Sequence, residues 1–510
     1  MTRPTPPIEL DATSDRLPLA PPLPDGFATR LSECCAVISD AATVADASRD
    51  WWPLAMRWAI DGAVAQRAAA VARPTSTAEV QAVLRCCNEA GVAVTPAGGR
   101  SSVVGGAAPV LGGVLLDLTA MQGILDVDVT SGIVEVLPGT FGPDLEHTLR
   151  TEHRLTVGHF PQSFELSTVG GWVAARGAGQ YSTRYGTIAD MVAGLEVVLA
   201  DGTALRTGGA PAAAQGPDLT QLFVGSEGTL GTITRVWLRA HPLPAAERRA
   251  AFAFDAASGR GDDALPAAVE ACRTILRAGA TPAVLRLYDA AESARGQGGD
   301  GTYCVLLVLD EGDADVVDGV MRVVQRACDA AGARRLDDEL VDRWLAHRND
   351  TSALQALIRK GYVVDTLEVA ARWSALTELI ERVEAALLAV PHARAATCHL
   401  SHSYLDGACV YFTFAATPPP DAFEATYVAL WDAGQRAALA HGGNLSHHHG
   451  VGINRARFVG EALGASWEVL SRIKHTLDPN GIMNPGKLGF GAPAAAAPVR
   501  PSTPPEHLWP

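Results

Sequence analysis

Apolar residues recur along this chain with two clear periods, and the change from one to the other divides it into strands and helices from about Val71 onward. The stretch AVARPTSTAEVQAVLRCCNEAGVAVTPAGG predicts a strand, a turn, a helix, a second strand and a glycine loop. Thr75 or Ser76 is placed to cap the helix, with Glu79 in its first turn. GGVLLDLTAM, GIVEVLPGT, GLEVVLADGTAL and GTITRVWLRAHPLP read as further strands punctuated by Gly, Pro and Asp-Gly. A second region follows Pro244. AAVEACRTILRAG and VDGVMRVVQRACDAAGA have helical spacing, and TYCVLLVLDEG and CVYFTFAAT read as strands. Their recurrence predicts an antiparallel sheet covered by helices, so the expected fold class is α+β.

Residues 1–24 are Pro-rich and predict an extended or disordered N-terminus, as does the tail 491–510. Between them the expected divisions are a helical segment 25–70, a first domain 71–244, a second domain 245–445 and a closing segment 446–490 that holds the helix Ala465–Leu477.

Hydrophobic residues make up 48% of the 510 positions, enough for sizeable cores. A net charge of −15 argues against nucleic acid or an anionic membrane as partner, while leaving room for a local basic pocket. Nine cysteines without a Cys-x-x-Cys spacing predict reduced thiols in a cytoplasmic protein. No apolar stretch reaches the length of a membrane span. The Trp51-Trp52-Pro53-Leu54 patch suits core packing or peripheral contact with lipid, and packing is the expected use.

The chemistry starts at Pro96-Ala97-Gly98-Gly99-Arg100-Ser101-Ser102. Adjacent glycines let backbone N–H groups converge on an anion, and two hydroxyls and a guanidinium follow, which suits a diphosphate. Three more segments are rich in small or hydroxyl-bearing residues: Gln162-Ser163-Phe164-Glu165-Leu166-Ser167-Thr168, Ala175-Arg176-Gly177-Ala178 and Glu227-Gly228-Thr229-Leu230-Gly231-Thr232-Ile233. They allow a large planar group to lie against backbone. The spacing is not Gly-x-Gly-x-x-Gly, so a Rossmann fold is disfavoured.

PAGGRSS, STVGG and GSEGTLGTIT, in this order, resemble the two-lobed, PCMH-type FAD-binding domain of the vanillyl-alcohol oxidase superfamily. The resemblance covers roughly 70–490 and implies that FAD is held by the four segments above. Some members tether the flavin through a His at the glycine loop. Arg100 stands there in this chain, so non-covalent FAD is expected.

A narrower resemblance, to the alkyldihydroxyacetonephosphate synthase family, rests on GHFPQSFELSTVGGWVAARGAGQYSTRYGTIADMV, LRLYD, TCHLSHSYLDGACVYF and GGNLSHHHGVG. It implies exchange of the acyl group of acyl-dihydroxyacetone phosphate for a fatty alcohol, without net redox change. It assigns Tyr411 as the catalytic phenol, Arg286 and His447, His448 and His449 as catalytic, and Arg359 as the grip on the substrate phosphate. His159 is implied near the flavin. A cationic neighbour is expected to lower the Tyr411 phenol for proton transfer. Three adjacent histidines cannot all face one metal well, so none is expected. Where the family's strand motif carries Arg, this chain has His399.

The alternative reading of the same residues is an oxidase or dehydrogenase of a hydroxy acid or other alcohol. There His447–His449 serve as base and Arg286 and Arg359 hold a carboxylate. A small-molecule or lipid substrate fits either reading. Related flavoproteins are often dimers, so a homodimer is expected.

Overall fold

The computed structural model describes residues 14–16, 20–256 and 264–491. The expected tail from 492 onward and most of the Pro-rich N-terminus lie outside the described residues. One part of that N-terminus departs from expectation: Ser14–Asp15 pairs as a short parallel strand with Ala63–Val64. Arg67 anchors it, with its backbone N–H and guanidinium both on the Asp15 carboxylate.

The first lobe is a four-stranded sheet in the order Ala36–Ile38, Ala70–Arg73, Val114–Asp117, Val94–Ala97, whose last three strands are parallel. Its crossover helix, Thr77–Ala90, starts as the sequence predicts. The Ser76 hydroxyl accepts the Glu79 N–H, and the Glu79 carboxylate accepts the Thr75 N–H. It stops at Gly91, whose φ of 64° is free of cost only for glycine. Val80, Val83, Leu84 and Cys87 form its buried face against Val94, Val114 and Leu116. Each such aliphatic side chain contributes about 1.5–3 kcal/mol by leaving water.

The second lobe is an antiparallel five-stranded sheet in the order Ala204–Gly208, Val192–Val198, Thr232–Arg239, Ile133–Val136, Ile124–Asp128. The glycine loop 96–102 leaves the first sheet at the end of Val94–Ala97, and the run 227–233 enters the centre of the second. The two meet there: a Cβ on Gly228 would lie 3.0 Å from the Pro96 ring.

The second region holds a seven-stranded antiparallel sheet. Its order is Arg334–Leu336, Ala246–Asp255, Tyr303–Gly312, Val284–Tyr288, Ala393–Ser403, Gly407–Ala416, Val363–Arg372. The two-residue period of these strands sorts their side chains. Leu285, Leu287, Leu400, Val410, Phe412, Phe414, Leu367 and Val369 join one core with the helices Leu265–Arg277, Ala314–Ala330, Trp373–Leu388 and Phe423–Ala440. Their neighbours in sequence point the other way, toward the first two lobes.

The closing segment returns to the first lobe. Met483 bridges to Val94, the Asn484 N–H donates to the Val94 carbonyl, and the buried Lys474 donates to the carbonyls of Thr229 and Met483. The helix Ala465–Leu477 forms where the periodicity predicts it. Trp51, Trp52 and Leu54 are buried, and the Trp52 indole N–H donates to the Tyr427 hydroxyl at 2.8 Å, so this patch is core and offers lipid no surface. No helix among the described residues is long and apolar enough to cross a membrane, and all nine cysteines are free thiols.

Candidate active site

One cavity of about 600 Å³ runs between the two lobes and the open face of the seven-stranded sheet, a size typical of ligand sites. At its first end all seven residues of 96–102 line the wall, with Gln162, Ser163, Leu166, Ser167, Thr168, Ala175, Gly177, Ala178, Glu227, Gly228, Gly231, Thr232, Ile233 and His159. The remaining residues of those segments do other work. Phe164 packs between Phe160 and Trp172, and Glu165 is exposed. Arg176, in left-handed conformation, reaches the Val224 carbonyl. The Thr229 hydroxyl donates to the Ser226 carbonyl, and Leu230 belongs to the core of the second lobe.

The loops of this end are held at backbone distance. A Cβ on Gly99 would stand 1.9 Å from the Leu166 carbonyl oxygen, and one on Gly98 2.2 Å from the Thr168 hydroxyl. Arg100 adopts φ 54° and donates to the Asp46 carbonyl. Glu227 accepts the N–H groups of Val451 and Gly452, tying the third segment to the closing segment. Several buried polar atoms on the cavity wall have no hydrogen-bond partner among the described residues: both ring nitrogens of His159, the Thr232 hydroxyl and the Gln180 amide oxygen. Burial holds His159 neutral, with its pKa lowered to about 3. A groove of N–H groups, hydroxyls and unsatisfied neutral donors and acceptors, with glycines where side chains would block it, fits a dinucleotide with a planar ring. The residues present therefore fit FAD.

The other end is built by strand register. Tyr288 pairs with His399, His399 with Tyr411, and Tyr411 with Glu368, so one row crosses four strands on one face. The His399 and Tyr411 rings stack at 4.9 Å, and the Tyr288 ring lies 5.4 Å from His399. A bulge between Leu400 and His402 adds one residue, which turns His402 onto the same face as His399. Strict alternation would have denied it that place.

Glu368 organises the histidine turn. It is fully buried, and its Oε1 accepts the backbone N–H groups of His447, His448 and His449 and the Ser446 hydroxyl. The fully buried Arg455 pairs with both of its oxygens. Burial pushes this carboxyl up, but Arg455 and His449 outweigh it and hold it well below the usual range. His449 Nδ1 lies 3.0 Å from Glu368 Oε2, off the line of an ideal hydrogen bond, which turns Nε2 away from the carboxylate.

The three adjacent histidines do not act alike. His448 and His449 line the cavity, whereas His447 sits behind them. His447 Nε2 meets the Tyr404 hydroxyl at 2.6 Å and its Nδ1 meets His448 Nδ1 at 2.8 Å. His402 Nδ1 meets the Ser182 hydroxyl at 2.6 Å, and its ring stacks on His447. Burial lowers the pKa of His447 to about 4 and those of His402 and His448 well below the usual value. These rings are neutral near pH 7.

Arg286 lines the cavity as expected. Its Nε donates to the Tyr288 hydroxyl at 2.7 Å and its Nη2 to His399 Nε2 at 2.6 Å, while His399 Nδ1 is 2.8 Å from Glu292 Oε2. Two expectations are corrected. Tyr411 is half-buried on the cavity wall, and desolvation raises its phenol above the ordinary value instead of lowering it, so it stays protonated. Arg359 is exposed at the end of the helix Ser352–Arg359 and is absent from the cavity wall. Arg348 lines the wall instead, packed on Trp344, Phe160 and Tyr181.

Glu292, Glu368, Arg348, His402 and Arg455 were not singled out from the sequence. An acid inside the apolar strand VVDTLEVAA was the signal for Glu368, and His-x-x-His in CHLSH was the signal for His402. The bulge and the ion pair are tertiary features.

Residues 68–208 match the family described as FAD binding domain, and residues 262–488 match FAD linked oxidases, C-terminal domain. The Escherichia coli (strain K12) protein YgcU, an uncharacterised FAD-linked oxidoreductase, is 32% identical over 440 residues, covering 82% of this chain and 88% of its own. The alkyldihydroxyacetonephosphate synthase of Dictyostelium discoideum is 29% identical over 452 residues, 81% of this chain and 72% of its own. Glycolate oxidase subunit GlcD of Bacillus subtilis (strain 168) is 28% identical over 436 residues, 82% and 88%. In fold, the chain superposes on a solved alkyldihydroxyacetonephosphate synthase with a TM-score of 0.75 at 24% identity, over 96% of this chain and 91% of that one.

Proposed function

The chain belongs to the FAD-linked oxidase family, with a PCMH-type FAD-binding domain, and from that premise we propose that it oxidises a polar, hydroxyl-bearing small molecule. The observation that carries this reading is the character of the cavity's second end. Arg286, Tyr288, His399, Ser401, Tyr411, Thr413, His448 and His449 share it. Two long alkyl chains would leave the remaining N–H groups of Arg286 and the Nε2 atoms of His448 and His449 without partners, at a cost of about 1–3 kcal/mol for each buried polar atom.

The residues of 96–102, 162–168, 175–178 and 227–233 that line the cavity hold the cofactor. FAD, when bound, supplies the acceptor for the hydride that leaves the carbinol carbon. The chain's own groups manage the proton. His449, held at its backbone N–H by Glu368, takes the substrate hydroxyl proton at Nε2. Tyr411, kept protonated by burial, donates a hydrogen bond to the substrate oxygen. Arg286 and Arg348 supply positive charge at the same end, and the neutral rings of His402 and His448 exclude water without adding charge. The test is anaerobic mixing of the flavin-loaded protein with a panel of 2-hydroxy acids and sugar alcohols. Loss of the yellow flavin absorbance with a matching carbonyl product supports the reading. A full panel that leaves the flavin oxidised removes it.

A second reading is acyl-for-alkyl exchange on acyl-dihydroxyacetone phosphate. It draws on the similarity to the Dictyostelium discoideum synthase and on the place of Tyr411 beside His399, His448 and His449. It requires an alkyl ether product, detected by mass spectrometry from a labelled long-chain alcohol, with the flavin oxidised at the end.

A further inference from the structure

A guanidinium has only donors, so its contact with His399 fixes the state of that ring. Arg286 Nη2 lies 2.6 Å from His399 Nε2, and Nε2 must therefore be the acceptor. The single proton of the neutral ring then sits on Nδ1, where it donates to Glu292 Oε2 at 2.8 Å. Glu292 is itself held: its Oε1 accepts the Thr397 hydroxyl, and its own N–H donates to the Asp289 carboxylate at the start of the helix Ala290–Gly296. On the far side, Arg286 Nε is taken by the Tyr288 hydroxyl. Two of the guanidinium nitrogens are thus pinned, and the guanidinium carbon lies over the Trp344 ring, 5.8 Å from its centroid. Among the described residues no carboxylate forms an ion pair with Arg286, although it lines the cavity. The chain Glu292–His399–Arg286 sets the direction of a cation whose remaining N–H groups donate to no carboxylate among the described residues.

We propose that Glu292 is a positioning residue which, through His399, aims Arg286 at an anionic oxygen group of the substrate, a carboxylate or a phosphate. The proposal rests on the reading of this end of the cavity as the substrate site, and it narrows that site to anionic substrates. Without Glu292 the His399 ring loses the acceptor for Nδ1–H that holds it in place, and Arg286, whose Nη2 donates to the opposite nitrogen of that ring, loses its orientation.

The test is binding, read by calorimetry on the flavin-loaded protein. The probes are oxalate, which has no oxidisable C–H bond, and methyl phosphate. Wild type binds one equivalent of one of them, and which one separates carboxylate from phosphate. Glu292→Leu weakens that binding by about tenfold, the scale of one charge-assisted hydrogen bond, with flavin content unchanged. Glu292→Gln, which keeps an acceptor for Nδ1–H, recovers part of it. Arg286→Met weakens binding at least as much, and the double variant is no weaker than Arg286→Met alone, because Glu292 acts only through Arg286. Losses that add in the double variant, wild-type binding by Glu292→Leu, or no binding of either probe by wild type each overturn the proposal. Probe binding with no flavin reduction by any hydroxy acid would instead remove the proposed oxidation and leave the positioning role standing.

Discussion

Glu368 and Arg455 form an ion pair in which both side chains are fully buried, and the same carboxylate accepts three successive backbone N–H groups from His447 to His449. The shape of the histidine turn therefore depends on a residue from a distant strand. Removing one partner of such a pair strands the other charge, at a cost of about 3–5 kcal/mol. Arg455→Met is expected to lower unfolding stability by that amount, measured by denaturant titration.

The pair also has a pH signature. Glu368 is depressed in the folded state from an ordinary value of 4.5. Its contribution is therefore complete above that value and declines as pH falls toward the folded one. Wild type and Glu368→Gln should differ in stability at neutral pH and converge in acid. Parallel curves of stability against pH would show that Glu368 is not carrying this load.

At the cofactor end the decisive contact is backbone on backbone. A methyl group on Gly99 would overlap the Leu166 carbonyl. Gly99→Ala is expected to fold with little bound flavin, seen as loss of visible absorbance per protein. A fully yellow variant would mean that the two loops move apart freely.

Tyr411 is expected to act as a hydrogen-bond donor, because burial keeps it protonated. Tyr411→Phe should retain flavin and lose roughly a hundredfold in turnover, the scale of one lost active-site donor. The wild-type rate should show no limb from phenol ionisation below pH 10, which a pH–rate profile checks.

His449→Gln removes the base braced by Glu368. Turnover should fall by about 10²–10⁴ while flavin binding, measured by absorbance, is kept. If His448→Gln has that effect and His449→Gln does not, the proton goes to the neighbouring ring.

Lys487 offers a second pH test. Burial lowers it from 10.5 to about 7, against Asp50 and Glu227, which raise it. Between those two values the unfolded chain binds more protons than the folded one, so stability rises with pH there. Thermal denaturation of Lys487→Met across the same range should lack that rise.

The sequence by itself determined what depends on local order. Ser76, Glu79 and Gly91 bound the first crossover helix by capping chemistry that is contiguous in the chain. The glycine segments marked the cofactor end because close backbone approach demands residues without a Cβ. The motifs LRLYD and CHLSHSYLDGACVYF marked Arg286 and Tyr411 only through their resemblance to a known family. Tertiary structure decided what depends on meeting across distance. Register set Tyr288, His399, Tyr411 and Glu368 in one row, and the bulge at Ser401 brought His402 to the site. Desolvation, a property of the finished fold, kept the Tyr411 phenol protonated and His159, His402, His447 and His448 neutral. Arg348 stands in the polar run HRND and Arg359 closes the helix SALQALIR, and neither context says which of them meets a cavity. Only the packing of Trp344, Phe160 and Tyr181 around Arg348, and the outward turn at the end of Ser352–Arg359, decided which one faces the cavity.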